Sequence, residues 1–135
     1  MRVVLDANIL IAAYAARGLC EAVLEYCINT DDIFLTEEIL TDVKDKLIKK
    51  IKLPQSDAER IIQFLRNYTT IVKADNVPAS ICRDPDDANI LGAARAVHAD
   101  YLITGDDDLL VLKKFVATEI VKPRTYWEEQ TKSRD

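Results

Sequence analysis

Four aspartates, Asp6, Asp42, Asp87 and Asp106, carry the chemistry that this sequence suggests. Two follow apolar runs that read as strands. Two head or edge apolar helix faces, so all four are predicted to meet at one crevice. Carboxylates brought together disfavour one another's ionisation and call for a cation. Hard oxygen donors suit Mg²⁺ or Mn²⁺ better than zinc. His98 is the single histidine, which argues against a histidine-based centre or a Ser-His-Asp triad. Cys20, Cys27 and Cys82 form no CxxC pair and read as small buried hydrophobes, not as a disulfide framework. The chemistry in prospect is that of a bound divalent cation.

Each acid also has a purely structural reading. Asp6 directly follows Val3-Val4-Leu5, at the carboxyl end of a strand, and serves equally well as a helix cap. Asn8, two residues on, is placed to orient Asp6 or a water. Asp42 lies three residues after Ile39 and one before Val43, at the margin of a buried helical stripe, where a salt bridge would also satisfy it. Asp87 heads the face formed by Ile90, Leu91 and Ala94. With Asp84 as N-cap and Pro85 as N1, it is also an ordinary helix-start acid. Asp106, Asp107 and Asp108 follow the strand Tyr101 to Ile103. Thr104 is expected to cap the short helix after it, and Gly105 lets that turn tighten.

The elements that must position these residues alternate. Strands are expected at Val3–Leu5, Ile33–Leu35, Thr69–Val72, Tyr101–Ile103 and Glu119–Val121. Helices are expected from about Ala7 to Ala16 and Leu19 to Ile28, then after Thr36, after a Ser56 cap, from Pro85 to about His98, and after Pro123. The segment from Ala74 to Arg83 reads as irregular. Such alternation implies an α/β fold with a mostly parallel sheet covered by helices, in which ligands gather at the carboxyl ends of the strands.

The 135 residues suit one domain, 1–135. No apolar run is long enough to span a membrane, and the opening residues lack the form of a signal peptide, so a cytoplasmic protein is expected. The net charge of −5 counts against a nucleic-acid partner. Bound divalent cations would offset it, and steering depends on where charges sit. Lys44, Lys46, Lys49, Lys50 and Lys52 cluster on and beyond the helix bearing Asp42. Arg83, Lys113 and Lys114 flank the other acids and are candidates to grip phosphates.

Four segments together resemble the PIN-domain family of nucleases. They are Val3-Val-Leu-Asp-Ala-Asn, Thr36-Glu-Glu-Ile-Leu-Thr-Asp-Val, Arg83-Asp-Pro-Asp-Asp-Ala-Asn-Ile-Leu and Leu102-Ile-Thr-Gly-Asp-Asp-Asp-Leu-Leu. The resemblance implies a three-layer α/β/α fold and Mg²⁺- or Mn²⁺-dependent cleavage of RNA. It assigns the acid positions to Asp6, Asp42, Asp87 and Asp106, with Asp84 and Asp108 supporting. Asp6 and Asp106 are the candidate central ligands, Asp87 completes the site, and Asp42 would hold a second metal or orient water. The family usually has Glu at the second position. Asp42 is shorter by a methylene, and Glu38, one turn earlier, is an alternative. The Arg-Asp-Pro and Thr-Gly-Asp forms and the terminal Lys122-Pro-Arg-Thr-Tyr-Trp are most similar to the branch of toxins of prokaryotic toxin–antitoxin systems. That implies a protein antitoxin and, often, a homodimer. Two other readings stay open. A PIN-like module could bind a partner without cleaving anything. A haloacid-dehalogenase-type phosphatase would use Asp6 as nucleophile, but that chemistry normally wants an aspartate where Asn8 stands.

Overall fold

The computed structural model of the protein describes residues 1–132. Val3, Val4 and Leu5 are fully buried, as expected of β1 (Arg2–Leu5), a strand covered on both faces. The chain continues through α1 (Ala7–Ala15), α2 (Leu19–Thr30), β2 (Asp32–Leu35), α3 (Glu37–Lys49), α4 (Gln55–Tyr68) and β3 (Thr70–Ile71). It then runs through α5 (Pro85–Val97), β4 (Tyr101–Ile103), α6 (Asp107–Leu110), β5 (Lys114–Phe115), β6 (Thr118–Val121) and α7 (Pro123–Lys132). The strands form one sheet in the order β3-β2-β1-β4-β6-β5. Every pairing is parallel except that of β5 with β6. With its helices this sheet makes the three-layer α/β/α architecture.

The strand order matters for the site. From β1 the chain moves outward through β2 to β3. It then returns past β1 to β4 and continues to β6 on the other side. The direction of winding therefore reverses between β1 and β4, and the crevice of an open α/β sheet lies beyond the carboxyl ends at such a point. Asp6 follows one of these two strands and Thr104 the other.

Helix boundaries follow local chemistry. Thr36 caps α3, accepting the Ile39 N–H at 3.1 Å, with Glu37 and Glu38 at the positive end of the macrodipole. Ile39, Leu40, Val43 and Leu47 form its buried stripe. α4 starts two residues earlier than the Ser56 cap would place it. Pro54 takes the cap position, because its fixed φ presents a carbonyl to the N–H groups of Asp57 and Ala58. The strand expected over Thr69–Val72 narrows to two paired residues. The antiparallel β5 was not expected at all. Its turn to β6 places Val116 at φ 56° without the glycine or asparagine that usually marks such a hairpin.

The 73–84 segment between β3 and α5 is irregular and acts as a strap across α5. Asp75 N–H donates to Gly92 O at 3.0 Å, and Arg95 Nη2 donates to Asn76 O at 2.6 Å. A Cβ on Gly92 would lie 2.1 Å from Asp75 O, so only glycine allows this crossing. At the other end of the chain, the fully buried Tyr126 ties α7 to the core. Its hydroxyl donates to Asp31, and its ring meets Tyr26 and Tyr101 edge-on. The three cysteines are free, with Cys27 buried and Cys20 and Cys82 half-buried. Among the described residues, no single helix is long and apolar enough to cross a membrane.

Candidate active site

Asp6 occupies the N-cap position of α1, but its side chain makes no cap hydrogen bond. The carboxylate, buried to 5% exposure, instead accepts a hydrogen bond from Thr104 Oγ1 at 2.7 Å. Thr104 is fully buried just beyond β4, and its Oγ1 also accepts the backbone N–H of Asp106 at 3.0 Å. One hydroxyl thus joins the ends of two neighbouring strands. This corrects the expectation that Thr104 caps α6. The helix begins two residues later, so Asp106 is the cap, and it accepts the Asp108 N–H at 2.9 Å. Asn8 is exposed and its side chain makes no hydrogen bond among the described residues, so the side chain that holds Asp6 is that of Thr104.

Asp84 caps α5, accepting the N–H groups of Asp86 at 2.8 Å and Asp87 at 3.3 Å. Pro85 begins the helix. Asp87 therefore stands in the first turn, and its buried carboxylate is left to face the crevice. Asp87, Asp106 and Asp108 each offer an oxygen, all within 4.8 Å of one another. No ion pair among the described residues involves these three or Asp6.

The electrostatics record the crowding. The Asp87 carboxyl is pushed up to about 7, first by burial and then by the negative charges of Asp106 and Asp84. A hydrogen bond shared with Asp106 and the charge of Asp6 act in the same direction. The Asp6 carboxyl is raised, chiefly by burial. The Thr104 hydrogen bond opposes the rise, and the Asp106 charge adds to it. Converging acids of this kind, with no ion-pair partner among the described residues, fit a divalent cation held by hard oxygen donors.

Asp42 is placed elsewhere. It sits one-third exposed on α3, where Lys46 Nζ approaches Oδ2 at 3.2 Å. It lines a pocket with Ala7, Glu38, Asp86 and Asn89, and none of the three acids lines that pocket. Sequence reasoning missed Asn89. Its Nδ2 donates to Glu38 Oε2 at 2.8 Å, and its Oδ1 accepts from Thr36 Oγ1 at 2.7 Å. The available signal was an amide two residues after Asp87, at the edge of an otherwise apolar and small-residue helix.

The basic residues divide into two groups. Lys44 pairs with Glu59 at 3.6 Å, Lys46 with Asp42, and Lys49 with Asp45 at 2.8 Å, so much of the lysine run on α3 is engaged. Arg83 lines a groove with Lys73, Asn76, Cys82 and Asn89 beside the start of α5. Arg83, Lys73 and the exposed Lys113, which turns the chain at φ 62° after α6, enter no ion pair among the described residues.

A family model described as "PIN domain" matches residues 2–108, a span that contains every acid discussed above. The chain belongs to the PIN domain family, a class of hydrolytic nucleases. No curated protein sequence matches it. Among solved structures, it is similar to a chain in the crystal structure of VapBC2 from Rickettsia felis bound to a DNA fragment from their promoter. The TM-score is 0.64 at 14% identity, over 90% of this chain and 98% of that one. At that identity the likeness speaks for the fold.

Proposed function

We propose that the protein is a Mg²⁺- or Mn²⁺-dependent endoribonuclease, the toxin of a toxin–antitoxin pair acting in the cytoplasm. The observation that carries the reading is the convergence of Asp87, Asp106 and Asp108 within 4.8 Å without a basic partner. These three, with Asp6 beside them, would hold the cation. Bound there, it would make hydroxide available at neutral pH and stabilise charge on a phosphate. The chain's own residues prepare the site. Thr104 fixes Asp6 and the backbone of Asp106. Asp84 fixes the start of α5, and with it Asp87. From α3, Glu38 or Asp42, which share a pocket with Ala7 and Asp86, would contribute a further carboxylate. Arg83 and Lys73, in the groove beside α5, would take RNA phosphates. The toxin reading, with a protein antitoxin and a homodimer as expected partners, draws on the Arg83-Asp-Pro and Thr104-Gly-Asp motifs. The fold shared with the VapBC2 chain is in keeping with it.

The test compares the whole chain with Asp6→Asn and Asp87→Asn for RNA cleavage in Mg²⁺, in Mn²⁺ and in chelator. Each substitution should lower the rate by at least about 100-fold, the scale lost when a preorganised charge-stabilising group is removed. Chelator should abolish cleavage by the wild type. Equal rates in all three proteins, or indifference to chelator, would sink the proposal.

A further inference from the structure

α3 offers two carboxylates to the pocket it shares with Ala7 and Asp86, and they are held in different ways. We propose that Glu38, oriented by Asn89, supplies the functional carboxylate of α3, and that Asp42 does not occupy the position which the sequence pattern assigns it. The inference rests on the metal-dependent nuclease reading above.

A chain of directional hydrogen bonds supports it. Thr36 Oγ1 accepts the Ile39 N–H, so its own proton is free to be donated, and it goes to Asn89 Oδ1 at 2.7 Å. That fixes which way the amide faces. Nδ2 then points to Glu38 Oε2 at 2.8 Å. Reversing the amide would set an oxygen against a carboxylate. The anchor is rigid, since Thr36 is fully buried at the α3 cap and Asn89 is two residues past Asp87 on α5. Glu38 Oε1 makes no hydrogen bond among the described residues and can turn to a ligand.

Asp42 is held within its own helix. Its partner Lys46 is one turn along α3, and a partly exposed i,i+4 pair of this kind holds the side chain only weakly. No hydrogen bond among the described residues ties Asp42 to α5 or to β1. Position separates the two acids as well. Glu38 borders both the pocket with Ala7 and Asp86 and the groove that carries Arg83 and Lys73, whereas Asp42 borders only the former of these two. Glu38 is thus the α3 acid that joins the pocket beside Ala7, at the end of β1, to the proposed phosphate path. Asn89 is a positioning residue that acts through it.

The experiment titrates Mn²⁺ into the whole chain and follows the free-ion electron paramagnetic resonance signal, with RNA cleavage measured in parallel. Glu38→Gln should weaken Mn²⁺ affinity by about tenfold or more, the usual cost of losing a carboxylate or its support at a metal site. Asp42→Asn should weaken it clearly less. Asn89→Asp, which sets two carboxylates face to face, should match Glu38→Gln. Asn89→Ala should fall between wild type and Glu38→Gln. The double variant Glu38→Gln/Asn89→Ala should be no weaker than Glu38→Gln alone, because Asn89 acts only through Glu38. Wild-type affinity in Glu38→Gln, a larger loss in Asp42→Asn, or additive losses in the double variant would each overturn the assignment. If the wild type neither binds Mn²⁺ nor cleaves RNA, the nuclease reading falls and takes this assignment with it. If the wild type does both and Glu38→Gln behaves identically, only the assignment falls. Glu38 is exposed and Asp42 partly so, and thermal melts of each variant verify that the fold is kept.

Discussion

The Thr104 hydroxyl has one proton, and Asp6 receives it. Thr104→Val keeps the shape and removes the donor, leaving a buried carboxylate less well satisfied. Mn²⁺ affinity is expected to fall about tenfold, as for other groups that orient a ligand, and Thr104→Ser should restore it. Titration should show equal affinities for Thr104→Val and wild type if the hydroxyl does nothing. Asp87 makes a second prediction. Its folded carboxyl is raised from 3.8 to about 7, so between those values the folded protein binds more protons than the unfolded chain. Stability in chelator should therefore be greatest at acidic pH and decline as pH rises through 7. Calorimetric scans from pH 5 to 8 should show a falling Tm, and Asp87→Asn should flatten the trend. Excess Mn²⁺ should reverse it, since the cation competes with the proton. The closeness of Asp87 and Asp106 was legible in the sequence, because strand ends and helix starts are local patterns. The role of Thr104 was not, because its partner lies 98 residues away.

Elements owe their placement to a few contacts of this kind. The strap over residues 73–84 crosses α5 at Gly92, where an added methyl would strike Asp75 O. Gly92→Ala forces the strap or the helix to move. Overpacking of this sort costs about 1–3 kcal/mol, set against the better helix propensity of alanine. Urea unfolding should report a net loss of stability, and an unchanged midpoint would mean that the strap yields freely. The sequence contained Gly92 but not its meaning. A glycine within a helix marks a close approach without naming what approaches, and the partner here sits in a segment without periodicity. Caps and stripes were easier. Thr36 and Asp84 declare their helices within four residues, whereas the two-residue β5 has no periodicity to declare.

For the whole molecule, the proposed function asks how a chain of net charge −5 would take up RNA. Position answers better than sum. The lysines of α3 are largely paired, while Arg83 and Lys73 enter no ion pair among the described residues and share one groove. In single-strand binding each phosphate contact contributes about 0.7 to the slope of log affinity against log salt. Removing both cations, in a variant made inactive by Asp87→Asn, should lower that slope by roughly 1.4. Fluorescence anisotropy with a single-stranded RNA at several salt concentrations checks this, and an unchanged slope would place the phosphates elsewhere. The sheet order was only partly legible. Alternating elements imply parallel strands, but no local pattern reveals that β1 is flanked by β2 and β4. That neighbourhood is what brings the ends carrying Asp6 and Thr104 together.

The two ends of the sheet, β3 and β5, are each only two residues long. A free strand edge is a template on which another chain can crystallise its own backbone, and these edges offer almost none. The proposed companion protein would then find little backbone to pair with at either edge, and its selectivity would have to be written in side chains.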